Sequence, residues 1–188
     1  MARQRPVLNN DACGELLALA RMTLQSYLST GEVPAYEVRD SVLLAPAAAF
    51  VSLHQGTDLR GCIGLLSADV DLYRTVQRCV ISAALEDARF RPVTMAELPG
   101  LTIEISVLGT PQPIQDMNLI EVGRHGLIVT LGGSRGLLLP QVATQYGWDR
   151  EMFLAQTCRK AGLPAQAWRQ PKAVIQIFDA QVFSDERR

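Results

Sequence analysis

Leu59-Arg60-Gly61-Cys62-Ile63-Gly64 sets a thiol between two glycines and two residues from a guanidinium. Glycine carries no Cβ, so either flank admits another backbone or a ligand at close range. In the period of two of a strand, Arg60, Cys62 and Gly64 share one face while Leu59, Gly61 and Ile63 share the other. A cation beside a thiol favours the thiolate, the nucleophilic and ligand-binding form. The same pattern also fits a small buried cysteine whose glycine neighbours only relieve crowding.

His125, in Gly123-Arg124-His125-Gly126, is the candidate general base. A Cys–His pair within hydrogen-bond reach makes an activated nucleophile. A lone turn histidine serves equally as a surface or backbone-bonded residue. Glu104, on the outward face of its strand, is a weaker third candidate. Asp87 and Arg89 lie two apart in a turn-like segment, where an exposed ion pair contributes about 0–1 kcal/mol. Gly132-Gly133-Ser134-Arg135-Gly136 resembles an anion-cradling loop, but such a loop should open a helix. A strand-like run, Leu137 to Leu139, follows instead, which favours a hairpin.

The elements that must position these groups are readable in outline. Asn10 is the expected cap of a first helix, with Cys13, Leu16, Leu17, Ala20, Leu24, Tyr27 and Leu28 at helical spacing and Gly31 as its stop. Residues 32–46 read as an irregular connection with room for one short strand. Ala48 to Leu53 and Leu59 to Leu66 form a hairpin whose register has two solutions. A Gly56-Thr57 loop pairs Val51 with Cys62, whereas a Gly56-Thr57-Asp58 loop pairs Ser52 with Cys62. Only the second brings His54 to the side of the thiol, and the sequence leaves both open.

Asp69 or Asp71 caps a second helix with Leu72, Val76, Cys79, Val80 and Ala83 inward. Thr94 to Glu97 has a capping-box pattern. Leu101 to Val107 alternates as a half-buried strand, ended by Pro111 and Pro113. Leu127 to Leu131 and Gly136 to Leu139 flank the glycine loop. A short helix over Gln141 to Tyr146, a helix from the Asp149 cap to Ala161 and a strand over Ala173 to Phe178, extended to Phe183, complete the chain. Interleaved strand pairs and helices predict an α+β fold with a largely antiparallel sheet.

At 188 residues the chain fits one domain, or two lobes sharing a core, with no need of disulfides or metal. Its composition, 48% hydrophobic and 20% charged, is that of a globular protein. A net charge of −1 and the absence of any Lys/Arg run count against nucleic acid. No stretch approaches the roughly 18 apolar residues of a membrane span. Met1 to Asn10, with Arg3 and Arg5, lacks the apolar core of a signal peptide. A cytoplasmic location is expected, with Cys13, Cys62, Cys79 and Cys158 as free thiols. No metal-ligand spacing and no phosphate or dinucleotide fingerprint appears, the cofactor is left unknown, and Arg135 at the tip of the glycine loop keeps an anion contact open.

The hexapeptide resembles the signature of the AMMECR domain family, whose biochemical activity is unsettled. Ala49-Phe50-Val51-Ser52-Leu53 is similar to the strand that leads into the family motif. Asp87-Ala88-Arg89-Phe90-Arg91-Pro92-Val93 is similar to its D-P-R-F-x-P-V segment, with Ala88 in place of proline. Gly123-Arg124-His125-Gly126, Leu139-Pro140-Gln141-Val142, Trp148-Asp149 and Lys160-Ala161-Gly162-Leu163 follow in the family order, so the likeness spans about residues 47–183 of a single domain over 1–188. The resemblance implies a compact α+β unit with a smaller lobe packed beside it. It also implies that Arg89 lines the same cleft as Cys62, and that His125 joins that site. In this expectation Cys62 and His125 are catalytic, while Arg60, Gly61, Gly64 and Arg89 bind substrate. Memo-like and radical S-adenosylmethionine proteins are the implied partners. The alternative expectation is a non-catalytic interaction module in which the Gly-Cys motif is structural and the ligand is a peptide.

Overall fold

The Asn9 side chain accepts from the Ala12 N–H at 2.8 Å and so starts α1 (Asn10–Thr30), one residue earlier than expected. Gly31, at φ 76°, ends it in the left-handed conformation. The computed structural model describes residues 6–185; Arg3 and Arg5 lie outside them. Within these the chain forms two units, residues 6–108 with 181–185, and residues 109–180.

In the first unit α1 turns Ala12, Leu16, Leu19, Ala20 and Leu24 inward, and leaves Cys13 half-buried. The following segment contains no strand, but a 3-10 turn over Ser41–Leu44 and an isolated β-bridge from Pro46 to Asp71. The Glu15 carboxylate ties it to α1 by accepting from the Tyr36 hydroxyl and the Arg39 and Asp40 N–H groups. Three strands follow, β1 (Ala49–Gln55), β2 (Asp58–Leu65) and, after α2 (Leu72–Leu85), β3 (Leu101–Leu108). They pair antiparallel in the order β2-β1-β3.

Both helices pack on one face of this sheet. Val51 and Leu53 of β1 and Ile103 and Ile105 of β3 meet Leu16, Leu24, Val76 and Val80 in a shared core. Asp71 precedes α2 without making a side-chain cap bond. Glu97 accepts from both the N–H and the hydroxyl of Thr94, which realises the capping-box reading. β3 departs from the expected half-buried pattern, because Ser106 on its polar side is only 1% exposed.

The second unit contains β4 (Gln112–Ile114), β5 (His125–Leu131), β6 (Ser134–Leu138), α3 (Pro140–Gln145), α4 (Arg150–Lys160) and most of β7 (Val174–Ser184). β5 lies between β6 and β7, and β4 pairs with β7. Leu127, Val129, Phe153, Leu154, Cys158 and Ile175 form its core. The Gly132-Gly133 loop is a two-residue hairpin turn, as the strand-like run after it predicts. Asp149 accepts from the Met152 N–H and so caps α4. The three residues of β4 are too few to show a periodicity, and Pro111 and Pro113 masked them. The architecture is α+β, an antiparallel sheet with flanking helices. No helix among the described residues is long and apolar enough to cross a membrane.

The close approach of α2 to β2 rests on Gly61. A Cβ there sits 2.0 Å from the Ala83 carbonyl oxygen, which is backbone and cannot rotate away. Gly61→Ala is therefore expected to destabilise the fold by about 3 kcal/mol or more. Gly14 of α1 has open space at its Cβ position, so Gly14→Ala should stabilise by about 0.5–1 kcal/mol. Urea unfolding of the two variants checks the opposite signs.

Candidate functional site

The β1–β2 hairpin turns through two residues, since Gln55 opposes Asp58 and His54 opposes Leu59. Continued unbroken, that register would set Val51 against Cys62. It is broken at Arg60, which has no partner on β1: Leu53 opposes Gly61 and Ser52 opposes Cys62. The structure thus combines the shorter of the two expected loops with the pairing of the longer one, through a β-bulge. The bulge moves Gly61 to the helix-packed face and Cys62 to the other.

The Arg60 guanidinium is held locally. Its Nε donates to Glu97 at 2.8 Å, and its terminal nitrogens donate to the Arg91 and Pro92 carbonyls at 2.7 and 3.3 Å. The cation beside Cys62 is Arg89, whose Nη2 reaches the Cys62 carbonyl at 3.4 Å. Asp87, buried at the end of α2, accepts the Cys62 N–H at 2.9 Å and is gripped by Arg89 through Nε at 2.9 Å and Nη2 at 2.6 Å. The Asp87–Arg89 ion pair read from the sequence is present, and its carboxylate is buried and anchors the motif backbone. Arg89 itself is half-exposed and lies over the Phe90 ring.

Residues directly opposed across strands share a face. Cys62 on β2, Ser52 on β1 and Glu104 on β3 form one such row. The Ser52 hydroxyl hydrogen-bonds the Cys62 sulfur at 3.2 Å. His54 stands one step along β1 on the same face, opposite Thr102, and Phe50 stands one step the other way, opposite Gly64. The Phe50 ring occupies the space a Gly64 side chain would need. The tight spaces beside Gly61 and Gly64 are thus filled by the protein, by Ala83 and by Phe50.

Burial pushes the Cys62 thiol up from its ordinary value, and the Asp87 and Glu104 carboxylates push the same way. The Ser52 hydrogen bond and the Arg89 charge offset only part of this. Cys62 is therefore a neutral thiol at rest. Burial raises Cys13 and Cys158 as well, and pushes Cys79 up to about 11. His125 belongs to the second unit, at the start of β5, where Nδ1 accepts from the Glu121 N–H at 3.1 Å. Among the described residues no group of three or more His, Cys, Asp or Glu is placed to hold a metal ion.

The sequence model of AMMECR1 matches residues 17–183, which takes in α1 from Leu17 onward, the hexapeptide, α2 and all of the second unit from residue 109 to 180. The chain belongs to the AMMECR1 family. A protein of Thermococcus gammatolerans is 42% identical, covering 94% of this chain and 92% of its own length. One from Methanocaldococcus jannaschii is 39% identical, over 88% and 86% respectively. The crystal structure of an uncharacterized protein from Pyrococcus horikoshii superposes with a TM-score of 0.89 at 38% identity, covering 92% of this chain and 90% of that one. The Pyrococcus horikoshii structure shares the fold of this chain.

Two features of the site escaped the sequence reading. The bulge at Arg60 had a signal in Gly61, because glycine within a strand often marks one. The Asp87 anchor had none, since the partner of its carboxylate is a backbone N–H 25 residues away. Arg89 holds the Asp87 carboxyl well below its ordinary value, at about 2. A group depressed in the folded state contributes stability above its unfolded value and loses it as pH falls through the folded one. Asp87→Asn should therefore cost about 2 kcal/mol at neutral pH, where a charged hydrogen-bond partner is lost. The gap to the parent chain should close between about pH 4 and pH 2, measured by denaturant unfolding across that range.

Proposed function

We propose that this AMMECR1-family chain is a cysteine-dependent small-molecule-binding protein or enzyme centred on Cys62. The observation that carries the reading is the row Cys62–Ser52–Glu104, a half-buried thiol, a hydroxyl bonded to it and a carboxylate on one sheet face. Sites of this kind gather titratable groups from separate strands. Cys62 is the nucleophile or covalent attachment point, kept as a neutral thiol until a ligand arrives. Arg89, half-exposed against the Cys62 carbonyl, is the group suited to draw an anionic substrate. Arg60, with Gly61 and Gly64, shapes the motif through the bulge and the contacts of Ala83 and Phe50. His125 remains a proposed acid/base of the reaction. Memo-like and radical S-adenosylmethionine proteins are the proposed partners, on the family resemblance.

A non-catalytic interaction module is the second reading. It is favoured by one observation, that both motif glycines are explained by packing within the protein.

Cys62→Ser separates the two, because it keeps the size and hydrogen bonding of the side chain while removing thiol chemistry. The first reading predicts that Cys62 of the folded protein is modified by iodoacetamide while buried Cys79 and Cys158 stay protected, and that binding of a covalent ligand is abolished in Cys62→Ser. Peptide mass spectrometry of the labelled protein reads this out. A Cys62 that resists labelling until the chain unfolds would make it a packing residue, overturn the first reading and turn the search to protein partners.

A further inference from the structure

His54 Nε2 is buried in the first unit and has no hydrogen-bond partner among the described residues. An unmatched buried polar nitrogen is costly, so its presence on the face that carries the thiol calls for a reason. The bulge supplies the geometry. His54 lies on the same face of β1 as Ser52, and Cys62 and Glu104 stand opposite Ser52 on the two flanking strands. Cys62 and Glu104 are thus both diagonal neighbours of His54. Diagonal positions lie about 7–8 Å apart across a sheet, within reach of long side chains.

From this placement we infer that His54 is the proton acceptor for Cys62 when the thiol attacks a carbon electrophile. The inference rests on Cys62 being a reactive thiol and names the base that reading otherwise takes from His125. In the step, the S–C bond forms as the bond from carbon to the leaving group breaks. The leaving group departs with that electron pair, and the sulfur proton ends on His54 Nε2. No oxidant or further reactant is consumed. The Ser52 hydroxyl, bonded to the sulfur at 3.2 Å, stays with it as negative charge develops. The charged and titratable groups around the pair are Glu104 on β3, the Asp87–Arg89 pair behind Cys62 and the Arg60–Glu97 pair at the bulge. Of these, Glu104 is the one placed to favour the imidazolium that results.

The test is the pH dependence of Cys62 carboxamidomethylation by iodoacetamide on the full folded chain, read by peptide mass spectrometry. An isolated thiol of raised pKa labels about tenfold faster per pH unit until it titrates. A base that takes the proton as the sulfur attacks lets the neutral thiol react, at a rate independent of pH over a range below that in which the thiol itself ionises. The labelling rate should then show a plateau in the neutral range before rising again as the thiol itself ionises. In His54→Ala and in the larger His54→Gln that plateau should vanish, leaving a single rise and a rate at pH 7 lower by about tenfold or more. A merely structural role would scale the rate at every pH and leave the plateau in place. A plateau retained in both variants, or absent from the parent chain, overturns the inference. No labelling of Cys62 in the folded parent overturns the underlying reading of Cys62 itself. His125→Ala is the matched control, and loss of the plateau there with retention in the His54 variants would return the role to His125.

Discussion

A single unpaired residue on β2 decides which face of the sheet receives the thiol. Side chains alternate along a strand, so one extra residue exchanges the two faces for everything beyond it. Arg60 is that residue, and it is held out of the ladder by a fork of contacts to Glu97 and to the Arg91 and Pro92 carbonyls. With the bulge, Gly61 faces α2 and Cys62 faces Ser52. Without it, Cys62 would be turned into the position that only a glycine can occupy, against the Ala83 carbonyl. The arginine, the glycine and the cysteine of the motif are therefore parts of one device.

The electrostatics of the site follow from the same strand. Asp87 takes the Cys62 N–H and is neutralised by Arg89, which holds the backbone of the motif against the end of α2. That pair leaves little positive charge to spare for the sulfur, while burial and Glu104 oppose its ionisation. The proposed reaction of this thiol therefore requires a neighbour to take its proton, and the unpartnered nitrogen of His54 lies on the same face.

The sequence disclosed the long elements and hid the short-range irregularities. α1, α2, α4 and the β5–β6 hairpin each span several turns or repeats of a clear period, with Gly31, Gly132 and Asp149 marking their ends. β4 was invisible because three residues around a proline have no period. The hairpin register was undecidable because loop length and bulge compensate each other, and periodicity cannot separate a long loop from a short loop with a bulge. Cys62 was found by its flanking glycines, though those glycines serve the packing of Ala83 and Phe50 rather than the approach of a ligand. A strict period of two places Arg60 beside the thiol. With the bulge, Arg60 reaches Glu97 and the Arg91 and Pro92 carbonyls, while Arg89, which the family resemblance named, reaches the Cys62 carbonyl.

The face assignment of Cys62 is the claim on which the account stands, and cross-strand nuclear Overhauser effects measure it directly. In isotope-labelled protein, backbone contacts should join Cys62 to Ser52, Gly64 to Phe50 and Gly61 to Leu53, with none joining Arg60 to a β1 residue in ladder geometry. Contacts joining Cys62 to Val51 and Arg60 to Leu53 would show an unbulged hairpin. The thiol would then face the helices, away from Ser52, His54 and Glu104.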